Sequence, residues 1–333
     1  MSNKDVLLTA LKFEEPKRVP WVPYVGVHAA KLIDKPADEY LQSSDLIYEG
    51  VMRSIQEYNP DGIPIVFDLQ LEAEAFGCEL LWAKDNPPAV SGHILDHKQL
   101  SELQPIKESD GRLPIIMEAT EKLVKSCGND VGLMGLVCGT FTLGLHLMGS
   151  KIINSMVKKP DEVFEVMNFC SKVCKDMCKI YLDRGIDIVA IVDPMTSQIS
   201  PQFFDKYVAP SYDESIEMIK SYNAHSLLFV CGNATRIVPN LAQLKTDGFA
   251  VDENIDFQFV ADTARANKKA FAGNLPLTVG LLFGTVEENV EYTKECIEIG
   301  RGPGFILAPG CDMPYHTNPE NVKAVVDVVY GKR

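Results

Sequence analysis

Two cysteines carry the most suggestive chemistry in this sequence. The runs Leu227-Leu228-Phe229-Val230-Cys231-Gly232-Asn233 and Ala308-Pro309-Gly310-Cys311-Asp312 each end an apolar stretch at a cysteine flanked by glycine. A thiolate at the end of a buried strand is a soft ligand for zinc, and glycine beside it leaves room. Cys231 and Cys311 can supply two such thiolates, with an oxygen or nitrogen as third ligand and the fourth position left to substrate. The opposing reading is that both are small buried hydrophobes, a common fate of free cysteine. They stand 80 residues apart, so they meet only if the fold gathers strand ends.

Other residues are candidates on the same terms. Asp252 and Glu253 close the next apolar run after Cys231 and offer a hard third ligand, or else a cap for the helix beginning near Asp256. Asp193, just before Pro194, can position or protonate a substrate group, or simply form a turn. Asn274, in Gly273-Asn274-Leu275-Pro276, faces the same choice. Cys170, Cys174 and Cys178 are spaced like a ligand ladder, but a long helix also needs an apolar stripe, and that reading is favoured. His146 and His225 have no partners in the pattern and read as ordinary satisfied histidines. Arg301-Gly302-Pro303-Gly304 follows a helix, not a strand, so it is no dinucleotide fingerprint.

The elements that must position these groups alternate. Short apolar runs near 19–25, 63–67, 131–137, 186–192, 226–230, 248–251, 270–272 and 304–308 are separated by longer helical patterns. Continuous apolar strands between helices imply a parallel sheet buried on both faces. Eight repeats predict an α/β fold, a (β/α)8 TIM barrel forming one domain over 1–333. A helical extension over 2–12 precedes it, and residues 77–95 make a β-hairpin excursion. In such a barrel the C-terminal strand ends carry the chemistry. They gather His28, Asp68, Cys138, Asp193, Cys231, Asp252, Glu253, Asn274 and Cys311 on one rim.

Composition narrows the class. The chain has 333 residues, 46% hydrophobic, with a formal charge of −14 that argues against nucleic acid or an anionic membrane as partner. No run approaches the ~20 apolar residues that span a bilayer, and the N-terminus lacks the apolar core of a signal peptide. Nine cysteines without framework spacing point to reduced thiols and a cytoplasmic location.

Several motifs together resemble the uroporphyrinogen decarboxylase superfamily, whose fold is a (β/α)8 barrel. They are Lys17-Arg18-Val19-Pro20, Phe67-Asp68 with Leu71-Glu72-Ala73-Glu74-Ala75-Phe76-Gly77, Gly139-Thr140-Phe141-Thr142-Leu143, Cys231-Gly232-Asn233, Gly273-Asn274 and Ala308-Pro309-Gly310-Cys311. The resemblance covers nearly the whole chain. Decarboxylases of this superfamily hold a polycarboxylate porphyrinogen with an arginine-bearing motif after the first strand. Here that stretch, Tyr24-Val25-Gly26-Val27-His28-Ala29-Ala30-Lys31, has no arginine, so the clamps for such a substrate are absent.

The paired cysteines are similar instead to the zinc methyltransferases of the superfamily, which exchange methyl groups with a corrinoid carried on a separate protein. Their motif is His-x-Cys with a distant Cys; Cys231 and Cys311 match it, while Phe229 replaces the histidine. A second subgroup, the first methyltransferases of anaerobic O-demethylase systems, carries Glu-x14-Glu-x20-His, which falls on Glu57, Glu72 and His93. The strand order puts Glu57 at the bottom of the barrel and Glu72 at the top, too far apart to share one ion through bonds of ~2 Å.

The resemblance therefore implies transfer of a methyl group from a small-molecule donor, foremost a phenyl methyl ether, to the Co(I) corrinoid of a partner protein. Zn2+ or an acid would activate the leaving oxygen. The metal ligands are Cys231 and Cys311 with Glu253, Asp252, Glu72 or His93 completing the set. Asp193 and Asn274 are the catalytic candidates, and Tyr24, His28, Phe141, Phe229 and Asn233 the substrate-binding ones. The alternatives are transfer from a methylcorrinoid to a thiol of the coenzyme M kind, and a non-catalytic zinc or ligand-binding protein on the same scaffold. A corrinoid protein is the partner, and a homodimer is compatible with this reading.

Overall fold

The computed structural model describes residues 2–333. Seven parallel strands form one curled sheet in the order β1 (Gly62–Pro64), β4 (Gly132–Cys138), β5 (Ile188–Val192), β6 (His225–Val230), β7 (Gly248–Val251), β8 (Ala270–Leu275) and β9 (Phe305–Pro309). Between β1 and β4 lies an antiparallel hairpin of β2 (Glu79–Leu81) and β3 (Ala89–Gly92), as the excursion at 77–95 predicts.

The eighth strand position is filled by a segment too broken to count as a strand. Pro20 O accepts from Leu307 N at 2.9 Å, Val22 N donates to Leu307 O at 3.0 Å, and Trp21 O accepts from Asp61 N at 2.8 Å. Residues 20–22 thus bridge β9 to the approach of β1 and close the barrel. Pro20 and Pro23 have no N–H to give, so a ladder here cannot extend. Arg18 anchors the segment through a bidentate pair with buried Asp61 at 2.6 and 2.7 Å, which gives Lys17-Arg18-Val19-Pro20 a structural reason.

Strand residues alternate between two cores. Leu136, Ala190, Val192, Leu227, Phe229, Ala272 and Ala308 fill the barrel interior, while Val137, Val189, Ile191, Leu228, Phe271 and Leu307 face the surrounding helices. Period-two alternation is what separates the faces of a strand, and burial of both faces is why each reads as a continuous apolar run. Helix Asn3–Leu11 plugs the lower end with Leu7, Ala10 and Leu11. Gly62 makes the plug possible, because a Cβ there would lie 2.3 Å from Leu7 Cδ2.

The helices follow their sequence signals where these are strong. Helix Pro160–Leu182 starts on proline with Asp161 and Glu162 in its first turn, and buries Cys170, Cys174 and Cys178 completely in the outer core. Where turn formers intrude, the long patterns split. The pattern at 143–157 becomes Thr140–Met148 and Lys151–Lys158, divided at Gly149 (φ +73°). The 201–221 stretch breaks into short turns before helix Asp213–Ser221, because Pro210 cannot continue a helix. The 97–104 pattern yields only the single turn Leu100–Glu102, with another just before it at Ile94–Asp96. Among the described residues no helix is long and apolar enough to cross a membrane.

Candidate functional site

The two cysteines come together. Cys231 follows β6 and Cys311 follows β9, and their sulfurs are joined as a disulfide with the α-carbons 6.0 Å apart. The other seven cysteines are unpaired and buried. The expectation that all thiols are reduced is thereby corrected for this pair, while the expectation of a shared rim holds. Gly232 turns the chain away from Cys231 with φ +80°, a conformation that suits glycine, and a Cβ there would press on Ser197 Oγ at 3.0 Å.

Beneath the cysteines lies an aromatic floor. The Tyr24 and Phe229 rings lie tilted against each other with centroids 4.7 Å apart, and Phe67 meets Tyr24 at 6.1 Å and Phe229 at 5.7 Å. Cys231 and Cys311 pack against this cluster. The rings are buried against one another, so Tyr24 and Phe229 support the mouth from below. Burial also pushes the Tyr24 hydroxyl well above its usual pKa, keeping it protonated.

The remaining candidates separate into rim residues and residues behind the rim. Asp252 accepts from Gly232 N at 2.8 Å through Oδ2 and from Asn254 N at 2.9 Å through Oδ1, so it shapes the loop after Cys231. Glu253 abuts Gly310, the neighbour of Cys311, and its half-buried carboxylate, raised in pKa by that burial, accepts from Leu277 N. Asn274 ties the β7 and β8 loops by donating to Ile255 O at 3.1 Å, so it positions backbone. Asn233 is exposed on the rim, where its Oδ1 accepts from Thr235 N and Oγ1 at 3.2 and 2.7 Å.

Asp193, Phe141, His28 and Glu72 do other work than the sequence predicts. Asp193 has no exposure and accepts four bonds, from Phe141 N, Thr142 N, Thr142 Oγ1 and Tyr212 Oη, at 2.6–2.9 Å. It pins the start of helix Thr140–Met148 to the end of β5, and no lone pair is left for a substrate. Burial raises its pKa and those hydrogen bonds oppose the rise. Phe141 is fully buried in the outer core, on the far side of the sheet from the mouth. His28 is fully buried too; its Nδ1 donates to Tyr315 O at 3.3 Å and its Nε2 accepts from Tyr58 Oη at 2.7 Å. Burial lowers its pKa to about 4, so it stays neutral and spoken for.

Glu72 Oε1 accepts from Cys138 N at 2.9 Å, while its Oε2 is buried without a partner. Its charge is felt by Cys138, Cys178 and Tyr181, the neighbours behind the sheet. Glu57 pairs with Arg53 at 2.7 Å and Lys323 at 3.1 Å, and His93 Nδ1 donates to His146 O at 2.9 Å. The Glu57, Glu72 and His93 set is therefore not assembled.

Zinc can be tested against these contacts. Even with the Cys231–Cys311 bridge reduced, Phe229 offers no donor where a nitrogen would complete the trio. Among the described residues no group of three His, Cys, Asp or Glu side chains is arranged to hold a metal ion. The donor set present does not fit a catalytic zinc with three protein ligands.

Two features escaped sequence reasoning. Asp312, directly after Cys311, lies across Gly26, where a Cβ would come within 1.8 Å of Oδ1. That oxygen is shut in without a partner, and burial, with the Asp68 charge adding to it, raises the carboxyl pKa well above its usual value. Asp68 in turn is held by Arg112 at 2.8 Å, which also grips Glu74 at 2.7 Å and lies over the Trp82 ring. Asp312's position beside Cys311 was the only available signal; the mate of Gly26 lies nearly the whole chain away. The second feature is a cleft of about 410 Å³ on the rim beside Cys231, lined by Ser197, Asn233, Thr235 and Arg236.

Comparison with known proteins agrees with this architecture. The sequence profile of the family described as uroporphyrinogen decarboxylase (URO-D) matches residues 2–331. The chain is 26% identical over 271 residues to a methylcobamide:CoM methyltransferase (MtbA) of Methanosarcina acetivorans, covering 80% of this chain and 78% of that one. It is 23% identical over 337 residues to a uroporphyrinogen decarboxylase of Prochlorococcus marinus, covering 96% and 94%. Among solved structures, a methyltransferase from Methanosarcina mazei superimposes with a TM-score of 0.91 at 25% identity, covering 100% of this chain and 99% of that one.

Proposed function

The chain belongs to the uroporphyrinogen decarboxylase family, in its corrinoid-dependent methyltransferase branch, and from that premise we propose that it moves a methyl group between the corrinoid of a partner protein and a small thiol. The observation that carries this reading is the resemblance to a methylcobamide:CoM methyltransferase over most of the chain's length, and the barrel mouth where Cys231 and Cys311 meet is where the methyl group would be exchanged.

The chemistry is an in-line displacement at the methyl carbon. A sulfur–carbon bond forms, the cobalt–carbon bond breaks with both electrons staying on the corrinoid, and the thiol proton goes to a base. We assign that proton to Glu253, a rim carboxylate whose pKa is raised by burial, which makes it a stronger base than an exposed one. The rigid floor of Tyr24, Phe67 and Phe229 keeps water from below the reacting atoms and holds the mouth in shape for the approach. The partner comes from the C-terminal face, since strand ends open only there.

A phenyl methyl ether donor is the second reading, and Phe229 favours it, because an apolar ring stands where a ligand nitrogen belongs in the thiol-methylating pattern. No step above runs through zinc.

Reduced protein is to be incubated with methylcobalamin and a series of thiols, and the loss of the methyl–cobalt absorbance followed. Turnover with thiols that survives chelator and less than stoichiometric zinc are the expected results. Methyl transfer from methoxyphenols to a Co(I) corrinoid, with none to thiols, would overturn the first reading in favour of the second.

A further inference from the structure

Arg236 stands on the same rim as the cysteines, in the turn Thr235–Ile237 after β6. Every other arginine has a partner within the chain, as Arg112 has Asp68 and Glu74, and Arg184 has Glu108 and Glu121. Among the described residues Arg236 alone has a guanidinium without a hydrogen bond, ion pair or ring contact, although the sequence holds 46 acidic residues and a charge of −14. An unpaired arginine in so acidic a chain is a free anion receptor.

The cleft it lines, of about 410 Å³, is within the size range of small-molecule sites. No carboxylate lines it. Asn233 Oδ1 is occupied by Thr235 N and Oγ1, so the Asn233 amide nitrogen is the donor left over. The inner wall is Ser197 against Gly232, one residue beyond Cys231, so a molecule seated here reaches toward the cysteines.

We infer that this cleft is the subsite for the anionic end, a carboxylate or sulfonate, of the small molecule that exchanges methyl with the corrinoid. Arg236 is its anchor and Asn233 its second donor. Guanidinium matches either group in a two-pronged geometry that a lysine lacks. The assignment rests on the reading that a small methyl acceptor enters the mouth, and it names that acceptor as an anion.

The test uses the full chain, wild type against Arg236→Gln and Arg236→Lys, in two arms. The first measures binding of ethanesulfonate and propionate, neither of which can be methylated at sulfur, by titration calorimetry at low salt. Wild type is expected to bind, Arg236→Gln to bind roughly tenfold or more weakly, and Arg236→Lys to fall between. The second compares 2-mercaptoethanesulfonate and 3-mercaptopropionate with neutral 2-mercaptoethanol as acceptors from methylcobalamin. The ratio of kcat/KM for anionic over neutral thiol is expected to drop by a similar factor in Arg236→Gln, chiefly through KM.

Ethanesulfonate binding that disappears in Arg236→Gln, with no thiol methylated by any variant, would keep the subsite and overturn only the thiol reading. Failure of wild type to bind either anion would overturn the subsite. So would an unchanged ratio in Arg236→Gln, or a loss confined to association with the corrinoid protein.

Discussion

At the residue scale, buried groups without full partners set the most informative energetics. Glu72 is wholly enclosed, with one oxygen on Cys138 N and the other unpartnered, and burial pushes its pKa up to about 7. Its folded-state pKa lies above the unfolded value, so the protonated form is the one the fold prefers. Stability from this site is therefore full below pH ~4.5 and is lost as pH rises toward 7. Glu72→Gln keeps the acceptor for Cys138 N and removes the titration. Its stability relative to wild type is expected to rise by on the order of 2–3 kcal/mol between pH 5 and pH 8, measured by urea unfolding at both. A pH-independent difference would place the ionisation elsewhere.

At the scale of elements, Asp193 shows how a residue at a strand end serves the fold. Its four accepted bonds join β5 to the start of helix Thr140–Met148 and to Tyr212. An asparagine would point its NH2 at donors on one side. Asp193→Asn is expected to lose on the order of 3 kcal/mol, seen as a lower urea midpoint, while the KM of the protein that remains folded stays near wild type. A variant of normal stability that turns over poorly would return Asp193 to the chemistry. The broken eighth strand makes the same point about elements: Pro20 and Pro23 leave only a few bonds to close the barrel, so side chains, with Arg18 on Asp61 foremost, hold the seam.

At the scale of the whole molecule, the corrinoid partner has one face to approach. Val279 and Phe283 are 63% and 77% exposed there, in and after the turn Leu277–Leu282 that follows β8 and receives Glu253. Large exposed apolar side chains on a functional face suit a partner's contact. Val279→Asp with Phe283→Asp is expected to weaken association with the corrinoid protein by roughly tenfold or more, with thermal unfolding little changed because neither side chain is packed. With a chain of charge −14, association is also expected to weaken with added salt, if the partner presents a basic surface. Equal affinity of variant and wild type would move the contact elsewhere on the rim.

What the sequence determined by itself was the alternation of elements, and with it the barrel and the rim where its strand ends gather. Strands buried on both faces are written as continuous apolar runs, and helices as stripes, so both are local signals. Cys231 and Cys311 were found for the same reason: each ends such a run beside glycine. Only the tertiary structure decided which way the rim residues turn. Asp193, Phe141, His28 and Glu72 stand close after strand ends, yet face away from the mouth: Phe141, His28 and Glu72 lie on helices whose packing turns them inward, and Asp193 is held by the start of helix Thr140–Met148. Asp312 over Gly26, the disulfide in place of two free thiolates, and the partnerless Arg236 all depend on contacts between distant segments. No spacing along one chain records them.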